Sequence, residues 1–310
     1  MLSRIPSPAL TPPKHGNGDD DDDDDKRGWK DFLPQISDLR ITNTSRTSLS
    51  LAALVNLTNP TAYSASVPYL DIHILVNGSL LGHATARDLE VREGKNENLL
   101  VHAVYAPLDM GGEEGKAVGR ELLSQYISGW NTSITLRMHE GSIPGNPSLG
   151  RALANFPIEV PTPKLSPPHQ PPPSDDPDDD DEDQGPDFIR DATFHLLTST
   201  ATFTLLSPLA HSTIFIDHLN ATAFYHAHPV GQILYDLPFA VPPVNREGEG
   251  AKTPRLPVEW SLGSVGYDAV KNALGGTLKM DARAEVGVRV GEWREGVWFV
   301  GGGIGAGVRL

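Results

Sequence analysis

The tightest constraint on the fold of this chain is that it writes the same pattern twice. Leu49 to Leu81 reads LSLAALVNLTNPTAYSASVPYLDIHILVNGSLL: an alternating apolar strand, a Pro break, a second strand and an Asn-Gly turn. About 148 residues later, Thr198 to Gly231 reads TSTATFTLLSPLAHSTIFIDHLNATAFYHAHPVG. Asn59 to Ser64 face Ser207 to Ser212 at an offset of 148, with Pro60 on Pro208, and Gly82 faces Gly231 at 149. Further on, Val118 to Leu123 face Val265 to Val270 at 147, and Gly129 faces Gly276 at the same offset. Two motifs held in order at one spacing predict a duplicated domain.

The local pattern of each copy is that of a sheet. Leu49, Leu51, Ala53, Val55 and Leu57 alternate with Ser50, Ala52, Leu54, Asn56 and Thr58, the period of a half-buried strand. Pro60 cannot donate to a ladder and marks the end of that strand. Tyr69 to Val76, Leu80 to Val91 and Leu99 to Ala106 continue as strands, and Asn77-Gly78 suits a tight hairpin turn. DMGGEEG, from Asp109 to Gly115, reads as a loop. One stretch per copy has helical spacing: Val118, Leu122, Leu123, Tyr126, Ile127 and Trp130 in the first, Val265, Ala269, Val270 and Leu274 in the second. Gly129 and Gly275-Gly276 stop them. From Met280 to Val290, six apolar residues alternate with Asp281, Arg283, Glu285, Gly287 and Arg289, so one side of that strand faces a core.

With 310 residues, two domains of ordinary size can each bury a core. The formal charge of -15 has a local origin: seven Asp at 19–25 and eight acids between Asp175 and Asp183. Removing those fifteen leaves 25 acids against 25 Lys plus Arg, and without a basic face neither nucleic acid nor an anionic membrane surface is an expected partner. Residues 1–27 are expected to form a disordered acidic leader, and the Pro- and Asp-rich 161–186 a disordered linker between domains spanning 28–160 and 187–310. No apolar run reaches the roughly 18 residues of a membrane span, and the N-terminus lacks the apolar centre of a signal peptide.

Few motifs in the chain resemble chemical sites. With no Cys there is no disulfide, thiolate site or thiol nucleophile. GGEEGKA (Gly111 to Ala117) puts Ala where a phosphate loop needs a hydroxyl, and the terminal GGGIGAG lacks dinucleotide-fingerprint spacing. His226 and His228 stand two apart and form a metal set only if His211 or His218 joins them, with Asp217 the one carboxylate nearby; polar surface histidine is the simpler reading. No catalytic, cofactor-binding or metal-binding residue is assigned. One motif exceeds chance: Asn-x-Ser/Thr sequons begin at Asn43, Asn56, Asn77, Asn131 and Asn220, five of 13 Asn, where 40 Ser and Thr among 310 residues give roughly two. These five are the candidate N-glycosylation residues.

The run VNLTNPTAYSASVPYLDIHILVNGSLLG, Val55 to Gly82, is similar to the strand, Asn-Pro break, strand and Asn-Gly turn of the type-two late embryogenesis abundant fold, the water-stress and hypersensitive-response domain. Two copies in tandem, with an ending like LPVEWSLGSVGYDAVKNALGGTLKMDARAEV (Leu256 to Val286), resemble the lumenal part of a fungal vacuolar-membrane family associated with termination of autophagy. The resemblance implies one immunoglobulin-like β-sandwich per copy, no enzymatic activity, an N-terminal membrane helix and exposure to the vacuole lumen. This chain lacks such a helix, which makes it a C-terminal piece of a longer protein or a shortened relative, with a cytoplasmic location if it is complete as given.

The resulting expectation is an all-β chain: two immunoglobulin-like antiparallel β-sandwiches, each with one short α-helix, joined by a disordered linker. Its expected function is that of a non-enzymatic interaction or scaffold module of a vacuolar-membrane protein, meeting a protein partner and needing no cofactor. The alternative is binding of a lipid or other apolar ligand inside a sandwich.

Overall fold

A computed structural model describes residues 34–162, 188–244, 248–261 and 278–309. The expected leader, most of the linker and the helix expected over Val265–Leu274 lie outside the described residues.

The first copy forms seven strands: β1 (Gln35–Thr44), β2 (Leu49–Asn59), β3 (Ala65–Val76), β4 (Ser79–Val91), β5 (Gly94–Tyr105), β6 (Ser133–Arg137) and β7 (Ile158–Pro161). They hydrogen-bond in the order β1-β2-β5-β4-β3-β6-β7, every pair antiparallel. Two helices accompany them, α1 (Pro107–Ile127) and α2 (Pro147–Leu153).

The second copy supplies β8 (Ile189–His195), β9 (Thr200–Leu205), β10 (Ile214–Tyr225), β11 (His228–Tyr235), β12 (Phe239–Val241), β13 (Ala251–Lys252), β14 (Leu256–Pro257), β15 (Glu259–Trp260), β16 (Leu278–Val290) and β17 (Trp293–Arg309). The short strands β13 to β15 take the place of β5, since β13 and β14 pair with β9 while β15 pairs with β11, as β5 pairs with β2 and β4. With that substitution the strand order is the same in both copies. The all-β expectation is met, and the internal repeat is a repeat of topology.

The matched residues do matched work. Asn59 Oδ1 accepts the N–H of Thr61 at 3.0 Å, and 148 residues on Ser207 Oγ accepts the N–H of Leu209 at 3.2 Å, so each Pro sits in a turn held by the side chain before it. The hairpin turn has two left-handed residues in both copies: Asn77 (φ 49°) and Gly78 (φ 83°) in one, His226 (φ 47°) and Ala227 (φ 64°) in the other. Gly82 pairs with Tyr105 across β4 and β5, and Gly231 with Trp260 across β11 and β15. An aromatic side chain opposite a strand glycine covers the backbone the glycine leaves bare.

The copies differ in how they end. β17 is 17 residues long, and its last part pairs in parallel with β8, from Ala306 opposite Ala192 to Arg309 opposite His195. The second sheet therefore curls until its two ends meet. β7 has four residues, and among the described residues it does not reach β1.

The reading of DMGGEEG as a loop is corrected: α1 starts at Pro107, a favoured first helical residue, and runs through those glycines. A break in helical geometry at Gly112 (φ 63°) kinks it there. Gly111 lies against the Leu80 carbonyl oxygen, where a Cβ would approach to 2.6 Å, and Gly115 against the Pro107 carbonyl oxygen at 2.5 Å, so these two glycines serve close packing. The stop at Gly129 (φ 75°) is as expected, with Gly129 N–H donating to Tyr126 O and Trp130 N–H to Gln125 O, the paired bonds of a Schellman cap. Helix α2, capped by the Asn146 side chain, is an element that apolar periodicity did not reveal.

Inside the second sheet Ala201 and Leu256 are fully buried, with Phe194, Val230, Met280, Phe299 and Ile304 around them. A second cluster crosses between the copies: Leu49, joined by half-buried Ile41, Leu51, Leu123 and Ile127, packs with Ile216, Val290, Trp293 and Val297. The strand read from Met280 to Val290 holds its alternation, with Met280, Val286 and Val290 buried and Asp281, Arg283 and Glu285 exposed.

Candidate functional site

The interior of the second sheet is incompletely filled. A cavity of about 260 Å³ runs along its concave side. Its wall is almost entirely carbon: aromatic rings at Phe194, Phe203, Phe239 and Phe299, branched side chains from β10, β11, β16 and β17, and alanines at 221, 223, 282 and 284. The first copy contributes Leu39, Ile41 and Leu49 from its sheet and Leu123, Tyr126 and Ile127 from α1.

Two of the few polar residues of the wall are committed elsewhere. Thr253 Oγ1 accepts the N–H of Phe203 at 3.0 Å, and Asp281 Oδ1 accepts that of Gly303 at 3.2 Å. Burial pushes the Tyr126 phenol up to about 12, which keeps it neutral. A lining of this kind is suited to apolar matter.

Helix α1 also seals the sheet. Where β17 runs ahead of its pairing with β8, its outer edge meets the helix: Ser124 Oγ accepts the N–H of Trp298 and Ser128 Oγ that of Val300, both at 3.0 Å. Glu121 Oε2 takes the Trp298 indole N–H at 3.0 Å, and Trp130 packs edge-on against Trp298 at 5.3 Å between ring centres. Elsewhere on the junction Thr44 Oγ1 accepts the N–H of Glu292 at 3.0 Å. His211 Nε2 lies 2.9 Å from Asp38 Oδ1, and that contact together with Arg40 holds the Asp38 carboxyl below the usual range. Sequence reasoning missed this seam, because a serine in a helix reads as a weak helix former and not as an acceptor for a distant strand.

The histidines weighed as ligands do not converge. His211 pairs with Asp38 across the junction, His218 lies over Gly287, and His226 sits in the hairpin turn edge-on to Tyr225. Among the described residues no three His, Asp or Glu side chains are grouped as a metal would need. The closest approach is in the first copy, where His73 stacks on His139 at 4.0 Å and His139 Nε2 lies 3.9 Å from Asp71 Oδ2. His139 Nδ1 accepts the N–H of Gly141 at 3.1 Å, so in the neutral ring Nε2 carries the proton and has no lone pair for a metal.

Of the five sequon residues, Asn43, Asn77, Asn131 and Asn220 are exposed. Asn56 is half-buried, and its Oδ1 accepts the N–H of Asn98 at 2.9 Å. Among the described residues no helix is long and apolar enough to cross a membrane.

The chain belongs to the LEA-2-like domain class, which is generally non-enzymatic, as family-model matches over both of its all-β copies show. Residues 32–151 match the family model described as the Tag1-like fourth LEA-2 like domain, and residues 181–298 match that of the Tag1-like fifth LEA-2 like domain. A comparison with curated proteins returns no match.

Proposed function

We propose that this chain is a non-enzymatic binding module whose second domain holds an apolar ligand, of the kind a lipid acyl segment or a small ring provides. The observation that carries the reading is the cavity of about 260 Å³ with its carbon wall. A cavity of about 150 Å³ lined by aliphatic and aromatic side chains already takes benzene, and typical ligand sites begin near about 300 Å³. The space therefore suits part of a lipid and not a whole one. At about 0.8 kcal/mol per buried methylene, burying an eight-carbon segment gains about 6 kcal/mol, from which the entropic cost of binding is subtracted.

The match to Tag1-like domains, together with the resemblance in Val55 to Gly82, supports placing this module on the lumenal side of a fungal vacuolar membrane in a protein tied to termination of autophagy. In that setting it acts as a scaffold for a protein partner, with membrane attachment supplied by another segment. Protease protection of the natural protein in sealed vacuolar vesicles tests this: digestion without detergent refutes lumenal placement.

Ligand binding is tested by native mass spectrometry of the purified chain and by titration with a fluorescent fatty acid. The expected result is a bound species, with affinity at least tenfold lower in Ala284→Phe, which adds a ring to the cavity wall. A ligand-free protein that takes up no probe refutes the reading.

A further inference from the structure

The described asparagines differ in the structural work they do. Asn59 donates to the Tyr63 and Arg92 carbonyls, Asn96 closes the bend between β4 and β5 with bonds to Arg92 and Gly94, Asn146 caps α2, and Asn155 bonds back to Ala152. Asn98 holds a left-handed backbone position with φ 58°. None of these begins a sequon, and each has a structural task.

Four of the five sequon residues have the opposite character. Asn43, Asn77, Asn131 and Asn220 are exposed, and none makes a side-chain hydrogen bond to another described residue. Asn77 serves the hairpin turn through its backbone, but its carboxamide is free. The sequon is read from the sequence and the unused, solvent-facing amide from the fold, and of the five sequon residues these four meet both conditions.

We infer that Asn43, Asn77, Asn131 and Asn220 are N-glycan acceptors and that Asn56, half-buried in its strand with its Oδ1 held by the Asn98 N–H, is not. This rests on the lumenal placement proposed above. The co-substrate is a polyprenyl-diphosphate oligosaccharide. The Asn carboxamide nitrogen bonds to C1 of the reducing-end sugar, the C1–O bond to the diphosphate breaks, the diphosphate leaves with the electron pair, and the nitrogen loses one proton. A glycan on Asn131 stands beside Trp130, 49% exposed, and so next to the seam where Trp130 meets Trp298.

The test has two arms, each read by peptide-level mass spectrometry before and after removal of N-glycans by an amidase. In the first arm the full chain is expressed behind a secretion signal in a eukaryotic host. Three or four of the four residues are expected to be occupied, with Asn56 clearly less so. Single Asn→Gln variants are expected to lose one glycan each, and all but Asn77→Gln, whose left-handed turn position disfavours Gln, to keep the melting temperature. Fewer than three occupied, or Asn56 occupied as fully as the others, overturns the assignment even if the protein is lumenal. In the second arm the protein is isolated from its natural membrane fraction. Occupancy there supports both readings. Occupancy in the secreted chain alone overturns lumenal placement and natural modification together, while leaving the acceptor geometry standing.

Discussion

Ser124 belongs to a helix of the first domain, yet its hydroxyl oxygen accepts the backbone N–H of Trp298, in the last strand of the second, at 3.0 Å. The same hydroxyl donates to the Arg120 carbonyl one turn back at 2.8 Å, so both its capacities are used and it is fully buried. With Ser128 doing likewise for Val300, a helix stands where a neighbouring strand would stand. An unpaired strand edge invites association, and covering it with a helix from the other copy is one answer to that hazard.

Removing the two hydroxyls leaves part-buried N–H groups without acceptors. Each of Ser124→Ala and Ser128→Ala is expected to cost about 1–3 kcal/mol. Chemical unfolding measures it, and a pair of variants within about 0.3 kcal/mol of the parent would show that water takes the place of the seryl oxygen.

The two matched glycines differ in what stands near them. A Cβ at Gly82 would lie 2.2 Å from the Val104 carbonyl oxygen, which is backbone, whereas at Gly231 the nearest atom is Val258 Cγ1 at 3.1 Å. Gly82→Ala is therefore expected to destabilise by about 3 kcal/mol or more and Gly231→Ala by about 1 kcal/mol. Thermal melts of the two variants give the order, and equal losses contradict the argument.

The second hairpin turn uses residues poorly suited to its backbone. Ala227 has φ 64°, where the first copy has Gly78. Ala227→Gly is expected to stabilise by about 1 kcal/mol, and Gly78→Ala to destabilise by a similar amount. A melting-temperature change of the opposite sign in either would show that the turn rearranges.

Stability is expected to fall at both ends of the pH range. The His73 ring is held below its ordinary 6.5, by burial first and then by the neighbouring charge of His139, so its contribution is complete above pH 6.5 and is lost as pH falls below that value. Tyr126, pushed from 10.0 to about 12 by burial, contributes fully below pH 10 and loses that contribution as pH rises through about 12. His73→Gln should flatten the acid limb of a stability–pH curve and Tyr126→Phe the alkaline limb. Unchanged limbs contradict the assignments.

Several features were legible because they are local. The left-handed turn at Asn77-Gly78, the Schellman cap at Gly129 and the alternation from Met280 to Val290 depend on residues within one element, where spacing and residue type carry the physics. The candidate glycan acceptors belong here too, although only the fold separated Asn56 from the other four. DMGGEEG misled because glycine signals backbone freedom and close packing with the same letter, and the Leu80 carbonyl that needs the space is distant in sequence.

By itself the sequence determined that one strand-rich domain occurs twice, where its turns fall and which faces of its strands are apolar. Tertiary structure alone decided that the second sheet closes on itself, that α1 of the first copy completes its edge, and that a carbon-lined space remains inside. The reason is that strand closure and edge coverage are hydrogen bonds between residues far apart in the chain, and a cavity is a small mismatch between side-chain volumes facing one another across a sheet. Neither quantity has a period along the sequence, so neither can be read from it.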